Sequence, residues 1–212
     1  MSEPLPRRVP WLTLIAVAMG FLESAVVVYL RLLYYPEGFR FPIVIIPEHV
    51  AVVELVRELT TILIILGVAV LAGRDRHDRF FVFGFVFGVW DLVYYLGLWH
   101  FLGWPNSLTT WDVLFLIPVP WLGPVIYPIG IALLLVTGFV VHDALHKHGR
   151  RLLLNRFEWS VACVGAVVTV VAFCWNWRAV SLEIVPASFP IGIFSLGLLV
   201  GVAPFVRAAI RV

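Results

Sequence analysis

Seven residues of this chain have the types and spacings that acid–base chemistry needs in an apolar setting: Glu23, Glu54, Arg57, Glu58, Asp91, Tyr94 and Tyr95. Glu54 and Glu58 are one helical turn apart, with Arg57 in reach of either. Asp91 is followed three and four residues later by Tyr94 and Tyr95, which share its side of a helix and can donate hydrogen bonds to it. The local sequences are "GFLESAVVV", "VELVREL" and "FGVWDLVYYLG", all strongly apolar. An ionisable side chain at the centre of a bilayer costs about 2.5–3.5 kcal/mol on insertion scales. Intramembrane acids therefore mark pathways, proton relays or catalytic pockets more often than chance placement.

The elements that must position these residues follow from composition. The chain has 212 residues, of which 62% are hydrophobic and 13% charged; soluble domains carry about 25% charged residues. Apolar runs recur at 11–33, 50–72, 80–101, 125–141, 159–175 and 189–206, each near the roughly 20 residues that cross a bilayer core. The expected fold is all-α: a polytopic integral membrane protein with six transmembrane helices in a single domain spanning 1–212. The first run is too long for a signal peptide's apolar region and contains Glu23, so it reads as a span.

Loop charges orient the bundle. Of fifteen Lys and Arg residues, only Arg31, Arg40, Arg57 and Arg178 fall in the spans or on the side opposite both termini. The other eleven, Arg7 and Arg8 among them, share the side of the termini. This positive-inside bias predicts cytoplasmic N and C termini, in a bacterial inner membrane. Acids run the other way: eight of thirteen lie within the membrane or on the outer side. A basic loop such as "GRDRHDR" interleaves Asp75 and Asp78, which argues against nucleic acid as a partner; membrane lipids and an amphiphilic small molecule or ion are the partners expected.

Depth brings the acids to one level. At 1.5 Å per residue, Glu23 and Asp91 lie about 18 and 16 Å into their spans, and Glu58 about 12 Å in from the opposite side. Glu54 sits one turn further out. Gly84 and Gly88 share the face of Asp91 and form a small-xxx-small pair that admits a neighbouring helix. Fully ionised, these groups carry four negative charges against Arg57, an excess relieved by shared protons, a bound cation or a cationic ligand.

Several chemistries are open to such a cluster. A hard divalent cation would take oxygen ligands from Glu23, Glu54, Glu58 and Asp91. His49 and His100 lie at similar depth near the outer interface and could serve as axial ligands of a haem, although Trp99 and Trp104 beside His100 suit an interface belt. His142 and His146, at i and i+4, read as part of a solvated cytoplasmic loop. Cys163 and Cys174 lie about 16 Å apart on one helix, too far to pair, and read as small core residues. No nucleophile elbow, phosphate loop or dinucleotide fingerprint occurs.

Between the third and fourth spans, "WPNSLTTWDVLFLIPVPWLGPVIYP" breaks the helical pattern. Possible N-caps from Ser107 to Asp112 predict a short helix over 110–117, with Asp112 capping it; the alternative places Asp112 at the mouth of a cavity, completing the acidic outer half with Glu54. Pro118, Pro120, Pro124 and Pro128 then stop a straight continuation. The segment reads as re-entrant or interfacial, on the outer side.

The expectation is a membrane-embedded enzyme that acts on an amphiphilic or lipid-like substrate. Asp91 or Glu58 would be general acid or base, Arg57 an anion clamp and Tyr94 or Tyr95 a donor. The alternatives are a proton- or cation-coupled carrier using the same acids, and a non-catalytic subunit of a membrane complex. A helix-locking network, with Arg57 pairing the acids, is the purely structural account.

Overall fold

The structure is a computed structural model that describes residues 8–44, 46–186 and 188–211. Arg7, one of the loop bases counted above, lies outside the described residues. Among the described residues seven helices form: α1 Arg8–Tyr34, α2 Glu48–Ala72, α3 Arg76–Leu102, α4 Ile126–Lys147, α5 Arg156–Cys174, α6 Arg178–Ser181 and α7 Ile191–Ile210. Six helical segments, the fifth being α5 continued through α6, are long and apolar enough to cross a membrane. The chain is a multi-pass membrane protein.

The helices outrun the apolar spans because backbone hydrogen bonding does not stop where hydrophobicity does. The correction is largest in α4, which continues to Lys147. His142 and His146 are therefore helical, and His142 is buried, as is Asp143; the reading of these histidines as a solvated loop is overturned. Cys163 is exposed on α5 instead of sitting in a core, and Cys174 is half-buried.

The chain divides into two compact units. Unit 1 holds α1, α3 and the parts of α2 and α4 within 59–72 and 126–141. Its central element is α3, whose buried residues lie on both sides of the helix. One side meets α1, where Ala16, Gly20 and Ser24 form a small-residue stripe at four-residue spacing. A methyl group on Gly20 would lie 2.6 Å from the Trp90 carbonyl oxygen, and one on Gly97 would strike the Ser24 hydroxyl. The other side meets α4, where Gly88 packs on the Ala132 carbonyl and Phe85 on Phe139, with ring centroids 4.5 Å apart.

One end of unit 1 is fastened by Asp78, which is 2% exposed. It accepts from both Arg8 Nη1 and Nη2, at 2.5 and 2.8 Å, and from the Arg74 backbone N–H at 2.8 Å. Arg8 also donates to the Ala72 carbonyl at 3.2 Å, one of the carbonyls the end of α2 leaves unsatisfied. Asp75 caps α3 through the Asp78 N–H. A buried carboxylate with this many charge-assisted partners is satisfied.

Unit 2 holds the start of α2, the segment 109–125, the end of α4 and α5 to α7. Here α5 and α7 cross in close contact through Gly165, Thr169, Gly197 and Gly201. A methyl group on Gly165 would collide with the Gly201 backbone, and one on Gly197 would lie 2.6 Å from the Thr169 amide nitrogen. Asn155 and Glu158 form a reciprocal capping box at the start of α5.

The short helix expected over 110–117 does not form. Strand β1 (Trp111–Phe115) pairs antiparallel with β2 (Trp121–Pro124), in the register Trp111↔Pro124, Asp112↔Gly123, Val113↔Leu122 and Phe115↔Trp121, with an irregularity between Val113 and Phe115. Trp111, Val113 and Phe115 favour extended backbone, while Pro118 and Pro120 occupy the connection, where no ladder donor is needed. Asp112 is thus a strand residue, and its assignment as a helix cap is overturned. The hairpin rests on aromatic rings: Gly123 lets Phe173 and Phe189 approach to 3.1 Å of where its Cβ would be, and Trp121 stacks on Phe173 at 6.1 Å.

Gly165→Leu should therefore destabilise the protein by about 1–3 kcal/mol, the usual range for overpacking a tight contact. Gly130→Leu, which meets nothing within 4 Å, should leave stability close to that of the parent. Thermal unfolding of both variants in one detergent checks the difference.

Candidate functional site

In unit 2 the site is built on one face of α2. Glu54 and Glu58 are 6% and 8% exposed, which is the placement a carboxylate on a membrane helix requires, since lipid offers it no hydrogen bond. Arg57 donates to Glu54 Oε2 from Nε at 2.9 Å and from Nη2 at 2.8 Å. Glu58 looks elsewhere: its Oε2 accepts the Leu116 backbone N–H at 2.9 Å, immediately after β1. The carboxylate supplies an acceptor to backbone that leaves the β ladder there. Asp112, on β1, is 1% exposed, the most buried acid among the described residues.

In unit 1 the acids are Glu23 and Asp91. Glu23 is half-buried, and its Oε2 accepts the Thr61 hydroxyl at a long 3.4 Å. Asp91 is buried on the α3 face that also carries Tyr95 and, less buried, Tyr94. The two phenol rings meet edge to face at 5.0 Å. Tyr95 stacks at 6.5 Å on Trp104, just beyond the left-handed Gly103 that stops α3. Over the Trp104 ring lies Arg31 of α1, 6% exposed, with its guanidinium carbon 3.6 Å from the ring centroid. A desolvated cation–π contact of this kind is worth roughly 2 kcal/mol.

The structure thus brings Glu54 to Arg57, Glu58 to the hairpin backbone, and Glu23 to Thr61. Glu23, Asp91, Tyr94 and Tyr95 belong to unit 1; Glu54, Arg57 and Glu58 belong to unit 2. His49 and His100 are both exposed; His100 meets Phe101 edge-on at 4.9 Å. Among the described residues, no group of three or more His, Cys, Asp or Glu side chains is disposed to hold a metal ion.

Two buried charged residues near these groups, Arg31 and Asp112, lie outside the seven that the sequence singles out. Arg31 reads there as an outer-side base, yet it continues the buried stripe Gly20, Ser24, Arg31. That spacing, i, i+4 and i+11, was the available signal. Asp112 reads as a cap, and no local pattern marks its burial, because a partner strand ten residues downstream creates it.

Glu58→Ala should remove the Leu116 acceptor and cost about 1–3 kcal/mol, the penalty for a buried donor left unsatisfied. Glu58→Gln retains a carbonyl acceptor and should cost less. Thermal unfolding, with amide exchange at Leu116 as the local readout, separates the two. No protein-family model, curated protein or solved structure matches this chain.

Proposed function

We propose that this multi-pass membrane protein is a membrane-embedded enzyme that acts on an amphiphilic or lipid-like substrate by acid–base chemistry. The observation that carries this reading is the burial of Glu54, Glu58, Asp91 and Asp112, at 6%, 8%, 8% and 1% exposure, in a chain that is 62% hydrophobic. Buried charges are costly, and a structural role alone is met as well by apolar packing. The acid–base role is assigned to Asp91, buried on α3, with Tyr94 and Tyr95 as donors on the same helix. Arg57 pairs with Glu54, and Arg31 supplies a buried cation, suited to an anionic headgroup. The loop-charge bias supports cytoplasmic termini in a bacterial inner membrane, with the hairpin on the outer side.

One set of contacts favours a second reading, a non-catalytic subunit of a membrane complex. Arg57 on Glu54, and Leu116 on Glu58, are what a helix-locking network would contain. A proton- or cation-coupled carrier uses the same acids and differs in moving charge across the membrane.

Asp91→Asn distinguishes these. Purified protein is reconstituted in vesicles of total bacterial lipid, and lipid composition is followed by mass spectrometry alongside a trapped pH dye. The expected result is lipid turnover by the parent that falls by about 10²- to 10⁴-fold in the variant, the usual contribution of a general acid or base, with folding retained. Proton flux that disappears in Asp91→Asn, without lipid turnover, would establish the carrier instead. Parent protein with neither activity would support the subunit.

A further inference from the structure

Helix α7 turns one side towards α5, through Phe194, Gly197, Pro204 and Ala208. Its opposite side carries a shallow groove of about 540 Å³. The groove is apolar for most of its length, along Leu199, Val202, Val206 and Ile210, and ends at Arg207 and Arg211. Leu199 is 70% and Ile210 81% exposed.

Three features decide what such a face accepts. The first is length: Leu199 to Arg211 covers about 18 Å along the axis, close to the roughly 15 Å of one leaflet's hydrocarbon. The second is order, apolar along the helix and cationic at its end, which is the order of an acyl chain and its phosphate. The third is charge. Arg207 and Arg211 are one turn apart on the same face, and Glu158 takes one edge of Arg211 at 2.8 Å. Two guanidinium groups against one carboxylate leave this end cationic. A second copy docked by a two-fold axis along the helices would bring four arginines together, so the occupant is anionic rather than another α7.

We propose that this face of α7 binds an anionic phospholipid, its acyl chain along Leu199, Val202 and Val206, and its phosphate held by Arg207 and Arg211. Arginine forks match phosphate oxygens, and basic sites at the membrane ends of helices recognise anionic headgroups in this way. The site is independent of Glu23, Glu54, Glu58 and Asp91, none of which lies on α7.

Native mass spectrometry of the full chain tests it, in detergent micelles holding equal amounts of phosphatidylglycerol and phosphatidylcholine. The parent should retain phosphatidylglycerol roughly fivefold or more over phosphatidylcholine, the factor expected for each basic residue at a membrane surface. R207Q should bring the ratio near unity, and R207K should preserve it. A203W, which fills the groove and leaves both arginines, should also abolish the preference and serves if R207Q does not fold. Equal retention by the parent, an unchanged ratio in R207Q or A203W, or a lipid-free dimer joined through this face would overturn the proposal.

Discussion

A hydrocarbon surround offers no hydrogen bonds, so every polar group on a spanning helix must find its partner within the protein. Most features of this structure follow from that constraint. Asp78 is ringed by Arg8 and the Arg74 amide; Glu54 holds Arg57; Glu58 takes the Leu116 N–H; Arg31 lies on the face of Trp104. In water each of these contacts would be a marginal surface interaction. Where hydrocarbon offers no other partner, each becomes a condition for the helix that carries it to stay where it is.

The same surround removes the hydrophobic drive for one helix to leave solvent and join another, because lipid tails are as apolar as leucine. Association then rests on close backbone contact, and small residues supply it. In unit 1 the stripe Ala16, Gly20, Ser24 lets α1 lie on α3, and Gly84 and Gly88 do the same for α4. In unit 2, Gly165 and Gly201 bring α5 and α7 into backbone contact. Asp91 and Glu23 each lie within three residues of such a contact on their own helices. Tight packing and the placement of these two acids are thus parts of one arrangement in unit 1.

The hairpin shows how a non-helical segment is accommodated in unit 2. Its two strands satisfy each other along the ladder, aromatic rings of Phe173 and Phe189 support Gly123, and Glu58 accepts the amide at the point where pairing ends. A carboxylate that a sequence reading assigns to chemistry therefore has a structural task as well.

What the sequence determined by itself was what depends on neighbours along the chain. Six spans are legible because the length of an apolar run is a local property, and Asp91 could be turned inward because lipid exposure would cost it most. Gly84 and Gly88 announced a close neighbour for the same reason. What only the tertiary structure decided depends on residues far apart in sequence. Nothing near Leu116 reveals that its amide meets Glu58, 58 positions away. Pairing with β2 buries Asp112, and helix continuation past the apolar span buries His142. Arg31 belongs with Trp104 only once α1 lies along α3. Hydrophobic periodicity reports which face of an element is covered; it carries no label for the residue that covers it.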